Sequence, residues 1–239
     1  IMDYTVLLFV LPAALLSMYA QFLVKNRFST YDKVKSKRGI TGAQAAKYLL
    51  QKNGITDVKI AHINGSLSDN YNPTNKVLSL SDSTFNSTSI AAIGVAAHET
   101  GHAIQHATNY SPLNLRKTLI PVANLGSKIG PTLAVIGIAM GQTAEAQSNL
   151  ALFQLISNIG LLLFGGAVLF YLVTLPVEYN ASNRALKILK ESNTLDSEEL
   201  KSTKKVLSAA ALTYVASALT AIGSLLRLLL ITKSNKRQR

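Results

Sequence analysis

Residues 98–102 read His-Glu-Thr-Gly-His. On an α-helix, positions four apart lie one above the other on a single face, so two imidazoles at that spacing can reach one ion. Imidazole nitrogens bind zinc well, and a glutamate one residue after the first histidine points to where a metal-bound water would sit. Shuffling the composition yields this pattern in roughly one sequence in six hundred. The chain has only four histidines, His62, His98, His102 and His106, and no cysteine, so thiolate metal sites, disulfides and a cysteine nucleophile are excluded. The chemistry expected is hydrolysis by a zinc-activated water, with one Zn2+ per chain on His98 and His102 and with Glu99 as general base. The plainer reading is a helix whose histidines only hydrogen-bond in a core. An apolar-faced, capped helix around the motif favours the metal.

A catalytic zinc takes three protein ligands and leaves a fourth place to water. One known solution needs a glycine at 105 and a histidine at 108, but Gln105 and Thr108 stand there. His106 shares the helical face, yet it is eight residues from His98, about 12 Å along the axis. It is therefore a candidate for a supporting or substrate-side group. Carboxylates number twelve and can be compared. Asp57, Asp69 and Asp82 fall in turn-rich sequence, where aspartate serves turn chemistry. Glu191, Asp196, Glu198 and Glu199 lie in a charged, solvated stretch, and Glu145 in a short loop expected on the other side of a membrane. Glu178 differs: it opens a helix directly after an apolar run, beside Tyr179, Asn180 and Arg184.

The elements that must position these groups are mostly apolar. The 239-residue chain combines a mean hydropathy of +0.24 with a formal net charge of +12. Apolar and basic together fit a multi-pass membrane protein whose Lys and Arg gather in the loops of one side; a nucleic-acid partner is not expected. Residues 4–24 form an uncharged run long enough to cross a bilayer as a retained anchor, since it begins at Asp3 and lacks the basic start of a signal peptide. Residues 150–176 are the clearest span and 206–231 another, interrupted only by Arg227. Residues 119–140 carry Pro121, Asn124, Lys128 and Pro131, and are expected as a span or a broken helix. Between these lie a 25–118 segment, a 177–205 segment and a basic 232–239 tail. Lys25 to Arg38 and Arg184 to Lys205 are basic, whereas the loop after 140 has no Lys or Arg. The 25–118 and 177–205 segments are thus expected to be cytoplasmic, against the basic tail, which four crossings put on the other side. Two spans separate His102 from Glu178, so both fall on one side, as a shared ion requires.

Within 25–118, Thr41 is expected to cap a helix to about Asn53, with Gly54 at its C-terminal turn. Residues 58–63 and 76–81 read as two strands joined by a turn-rich connection, and Ser87 or Ser89 as the cap of the motif helix. The fold expected is mainly α: about four membrane spans with a small α+β zincin-like catalytic unit. Val77, Leu78, Ser79 and Leu80 are a candidate sheet edge along which an extended peptide substrate adds as a further strand; an ordinary hairpin is the alternative. In the last span Thr213, Ser217, Thr220 and Ser224 form a small polar stripe suited to close helix packing.

HETGHAIQH, followed after two apolar spans by LPVEYNASNRA and VLSAAALTYVA, resembles the bacterial membrane neutral zinc metallopeptidases of the YugP-like family, over nearly the whole chain. The EYNASNRA segment is also similar to the E-x-x-A-D glutamate motif of HtpX-like and CaaX-processing membrane proteases. The resemblance implies Glu178 as the third zinc ligand, with Ala181 in its place. Ser182 stands where those families have Asp, so Ser182, Asn180 or Asn183 takes the role of orienting a ligand histidine. Tyr179, His106 and Arg184 are candidates to stabilise the oxyanion. The function expected is a bacterial-membrane peptidase acting on membrane or membrane-near proteins, its site on the cytoplasmic side. The alternative is a zinc-binding membrane scaffold without activity, which would have no need of Glu99. A channel is supported only by the spans and Lys128.

Overall fold

In the computed structural model, which describes residues 4–143 and 148–237 (side chains to 233), the apolar runs become helices longer than the runs themselves. A π-helical turn, Val6–Val10, leads into α1, Leu11–Asp32. Then follow α2 (Gly42–Lys52), β1 (Lys59–Ile63), β2 (Asn70–Asn72), β3 (Val77–Ser81), α3 (Asp82–Phe85) and α4 (Ile90–Ala107). Three long helices complete the chain: α5 (Ser111–Met140), α6 (Leu150–Glu191) and α7 (Ser197–Arg237). The architecture is mainly α with a small α+β part, as the sequence implied. Asp3 and Glu145 lie outside the described residues.

Among the described residues, four helices are long and apolar enough to cross a membrane: Val6–Asp32, Ser111–Met140, Leu150–Glu191 and Ser197–Lys233. Of the two alternatives for the second, a span or a broken helix, the continuous helix is found: α5 runs through both Pro121 and Pro131. The third differs from expectation: α6 does not stop at Pro176 but continues through Glu178 to Glu191. A proline removes one backbone donor and crowds the carbonyl a turn back, a defect that membrane helices tolerate when neighbours re-satisfy the freed groups.

The chain divides into two compact units. The first holds the described parts of Ile1–Tyr19, Leu115–Leu175 and Tyr214–Arg239. Large apolar side chains such as Leu8, Leu15, Leu125, Ile136 and Leu162 are exposed on it, the surface that a lipid environment covers. Its helices meet through small residues. A Cβ on Gly137 of α5 would lie 2.5 Å from Ser157 N and 2.6 Å from Phe153 O of α6, so these backbones approach as only glycine permits. On α7, Thr220 of the polar stripe lies 3.3 Å from the Ser17 hydroxyl of α1, and Gly223 packs against the carbonyl of Phe9. That part of the stripe therefore serves helix packing.

The second unit holds Ala20–Asn114 and Pro176–Thr213. Thr41 caps α2 with a full capping box, its hydroxyl accepting from Gln44 N while the Gln44 side chain accepts from Thr41 N. Gly54 follows with φ +70°. The sheet has the order β1-β3-β2. β1 and β3 are parallel, with Lys59 opposite Val77 and Ile63 opposite Ser81, and β2 is antiparallel to β3, with Tyr71 opposite Leu78. This corrects two expectations. The strands at 58–63 and 76–81 are not a hairpin, because the stretch between them supplies β2. Val77, Leu78, Ser79 and Leu80 are not a sheet edge: β3 is the central strand, and no substrate strand can add along it. Just before β2, Asp69 accepts from Ser81 N (2.8 Å) and from the Ser81 hydroxyl (3.0 Å). The core gathers Leu49 of α2, Leu78 and Leu80 of β3, Ile93 of α4 and Leu189 of α6, all fully buried. Full burial of such a side chain contributes about 1.5–3 kcal/mol, so the sheet and α2 hold α4 and the end of α6 in place.

Adding one methyl at a backbone contact should cost about 1–3 kcal/mol. Gly137→Ala is expected to lower the thermal midpoint of detergent-purified protein, followed by helical circular dichroism. Gly165→Ala, with nothing within 4 Å of its Cβ, should leave it unchanged or higher.

Candidate metal centre

α4 starts where Ser89 caps it, the hydroxyl accepting from Ala92 N at 3.0 Å. The helix carries His98 and His102 on the face toward α6. The two imidazoles stand edge to face with centroids 4.8 Å apart. Glu178, two residues past Pro176, lies opposite them. Its Oε2 is 3.2 Å from His98 Nε2 and 3.4 Å from His102 Nε2. Among the described residues this is the group that could hold a metal, with one ligand atom from each of the three within 4.8 Å of the others.

The donor set fits zinc. Two imidazole nitrogens and one carboxylate oxygen form a set used by catalytic zinc sites, and at Zn–ligand distances of about 2.0–2.2 Å the tetrahedral edges are about 3.4 Å. The two nitrogen–oxygen separations already have that length. Both outer ring nitrogens are engaged elsewhere, which turns both Nε2 atoms inward. His98 Nδ1 lies 3.1 Å from the Ser182 hydroxyl and His102 Nδ1 3.0 Å from Gln105 Oε1. Such partners fix a ligand's tautomer and ring orientation.

Two residues between and beyond the histidines make the helices fit. Gly101 faces α6 so closely that a Cβ there would lie 2.5 Å from the Ala181 carbonyl oxygen. Gln105 is fully buried. Its Nε2 donates to Val177 O (2.8 Å) and Asn180 Oδ1 (3.0 Å), while its Oε1 meets His102. One side chain thus joins a metal-facing imidazole to the α6 turn that carries Glu178. The sequence reading passed over Gln105, using it only to exclude a glycine. Its position three residues after His102, on the motif's own helical face, was the signal available.

The other expected residues separate. Ser182 meets His98, and Asn180 accepts from Gln105 and from Arg184 Nε (2.7 Å), so both belong to the frame around the centre. Asn183 makes no side-chain hydrogen bond among the described residues. Arg184 is held there, with its guanidinium 5.8 Å from the Tyr110 ring. His106, one turn beyond His102, places Nδ1 2.8 Å from the Tyr71 hydroxyl of β2. Tyr179 is exposed and makes no side-chain hydrogen bond among the described residues.

Glu99 is buried, and its carboxylate has no hydrogen-bond partner among the described residues. Burial pushes its pKa up, against the pull of His102 and His98. Burial draws His102 down, but the Glu178 carboxylate outweighs it and holds the imidazole above its ordinary value.

With this geometry in view, the comparisons with known proteins are decisive for the family. Residues 6–233 match the family described as "putative neutral zinc metallopeptidase". The chain belongs to that family. It is 44% identical over 225 residues to the protein named "Putative membrane protease YugP" of Bacillus subtilis (strain 168), across 94% of this chain and 95% of that one. No solved structure matches it. Zinc is the metal this family implies. The relative and the four apolar helices together make this a membrane protein.

Loss of a group that orients a ligand histidine lowers metal affinity by about 10–100-fold. Gln105→Leu should do so in zinc competition with a chelating dye, with helical content retained.

Proposed function

We propose that the chain is a membrane-embedded zinc endopeptidase that hydrolyses peptide bonds of membrane or membrane-near proteins. The observation that carries this reading is the convergence of His98 Nε2, His102 Nε2 and the Glu178 carboxylate beside a buried carboxylate, Glu99, that has no hydrogen-bond partner among the described residues.

In this reading His98, His102 and Glu178 hold the zinc, which when bound supplies a Lewis acid that acidifies water and polarises the scissile carbonyl. Glu99 takes the proton of the attacking water and later hands it to the leaving amine. A buried carboxyl with a raised pKa suits both halves of that task, because it accepts a proton more readily than a solvated one and still gives it up to an amine. Ser182 and Gln105 act through the imidazoles and keep the inward nitrogens on target. Of the expected oxyanion donors His106 is the one on the motif helix, with the Tyr71 hydroxyl at its Nδ1. The site faces the cytoplasm. Supporting that orientation are the basic 25–38 and 184–205 stretches and the absence of Lys and Arg from the loop after Met140.

Metal analysis and cleavage of casein by detergent-purified protein test this together. The wild type should carry about one zinc per chain, by analogy with single-ion catalytic sites. Chelation by phenanthroline should abolish cleavage and added zinc restore it. Glu178→Ala should lose zinc and cleavage together; full zinc retention in that variant would place the third ligand elsewhere. Glu99→Gln should keep its zinc and lose about a thousandfold or more in cleavage rate, within the range known for acid–base groups. Full cleavage by Glu99→Gln would assign the base to another group, and zinc bound without any cleavage by the wild type would instead favour a metal-binding scaffold.

A further inference from the structure

The second unit has a cleft that the metal centre does not use. It lies between the last turns of α1 and the first turns of α7, with a volume of about 550 Å3. Leu23 and Arg27 of α1 line one wall; Lys201, Lys204, Lys205 and Ser208 of α7 line the other, with Glu198 at its start. Residues four apart share a helical face, as do residues three and seven apart, so each wall is one stripe. Phe28 of α1, Ala91 of α4 and Val206 of α7 are buried against one another and pack α1 on α7 beside these stripes.

The charge of this cleft is unbalanced. Of its four cations only Lys201 is matched, by Glu198 Oε1 at 2.7 Å. Arg27, Lys204 and Lys205 have no carboxylate partner among the described residues. The other acid nearby, Glu199, is buried and turned away, accepting from Lys37 N and Asp196 N at 2.8 Å each. The cleft is also amphiphilic in sequence register. Leu23 belongs to the uncharged 4–24 run and Arg27 follows it, while Lys204 and Lys205 directly precede the apolar run that starts at Val206. Cations and apolar side chains therefore meet where two membrane helices leave their apolar segments.

We propose that this cleft binds the headgroup phosphate of an anionic phospholipid, with Arg27, Lys204 and Lys205 on the phosphate and Leu23 beside the start of an acyl chain. Basic pockets between membrane helices take anionic headgroups in this way, and arginine binds phosphate through paired N–H donors that a lysine cannot present. A free phosphate ion would satisfy the cations equally. It would make no use of the apolar end of the cleft or of its position at the bilayer boundary, and these favour the lipid.

The test uses the full-length protein in nanodiscs of phosphatidylcholine with a minor fraction of phosphatidylglycerol, and reads the retained lipids by native mass spectrometry after transfer to detergent. Wild type should retain phosphatidylglycerol over phosphatidylcholine. The variant R27Q/K204Q/K205Q should lose that preference by about tenfold, each cation near an anionic surface contributing appreciably. The charge-matched control K47Q/K59Q/K187Q, exposed lysines of the same unit outside the cleft, should keep it. Equal loss in both variants would mean that net charge alone attracts lipid, and the proposal would fall. Displacement of the lipid by millimolar inorganic phosphate would also overturn it, assigning the cleft to a soluble anion. Unchanged helical circular dichroism and zinc content in both variants exclude misfolding as the cause.

Discussion

Glu178 has 3% of its side chain exposed and stands against two imidazoles. A carboxylate held so far from water must be matched where it lies, because an unmatched buried charge costs several kcal/mol. That requirement fixes much of the second unit. The backbones of α4 and α6 have to come close enough for short side chains to meet, which Gly101 allows. The imidazoles have to turn one nitrogen each to the carboxylate, which Ser182 and Gln105 enforce from behind. The helices have to hold that spacing, and the shared core of Leu49, Leu78, Leu80, Ile93 and Leu189 does so. Sheet and α2 can be understood as the backing that keeps one helix pressed on another.

Glu99 gains its character from the same enclosure. It is one residue from a metal-facing histidine and shares its burial, yet its carboxylate has no hydrogen-bond partner among the described residues. Glu178 lies against two imidazoles, whereas the Glu99 carboxylate meets no hydrogen-bond donor among the described residues, and the proposed division between ion-holding and proton-moving carboxylates rests on that contrast.

The parts of this arrangement legible in the sequence were those set by local spacing or by scarcity. Two histidines four apart, Thr41 and Ser89 ahead of apolar helical runs, and Gly54 after one all act through near neighbours. Glu178 was visible because acids are few and its setting was unlike the others. What local rules could not supply was long-range pairing. The partner of a strand depends on the whole chain, so nothing local in 58–63 and 76–81 distinguishes a parallel pair from a hairpin. β2, the polar Asn-Tyr-Asn, has the composition of a turn. Prolines act in the opposite direction: Pro121, Pro131 and Pro176 allow a break or an end, because the sequence does not reveal which neighbours compensate the lost donor. Beyond its place on the motif helix, Gln105 carries no sequence signal, because an amide has no distinctive chemistry until its two ends touch different helices.

The two unspecified letters of the His-Glu-x-x-His pattern have a consequence for how freely this protein can vary. Thr100 is fully buried with its hydroxyl donating to Ala96 O, and Gly101 is pressed against Ala181. Positions written as interchangeable in a motif are here confined by packing, one to a small hydroxyl-bearing side chain and the other to no side chain. In a library randomised over these five residues, the middle pair should be depleted nearly as strongly as the histidines. The tolerance that the pattern advertises would be found outside it, on the exposed turns of the same chain.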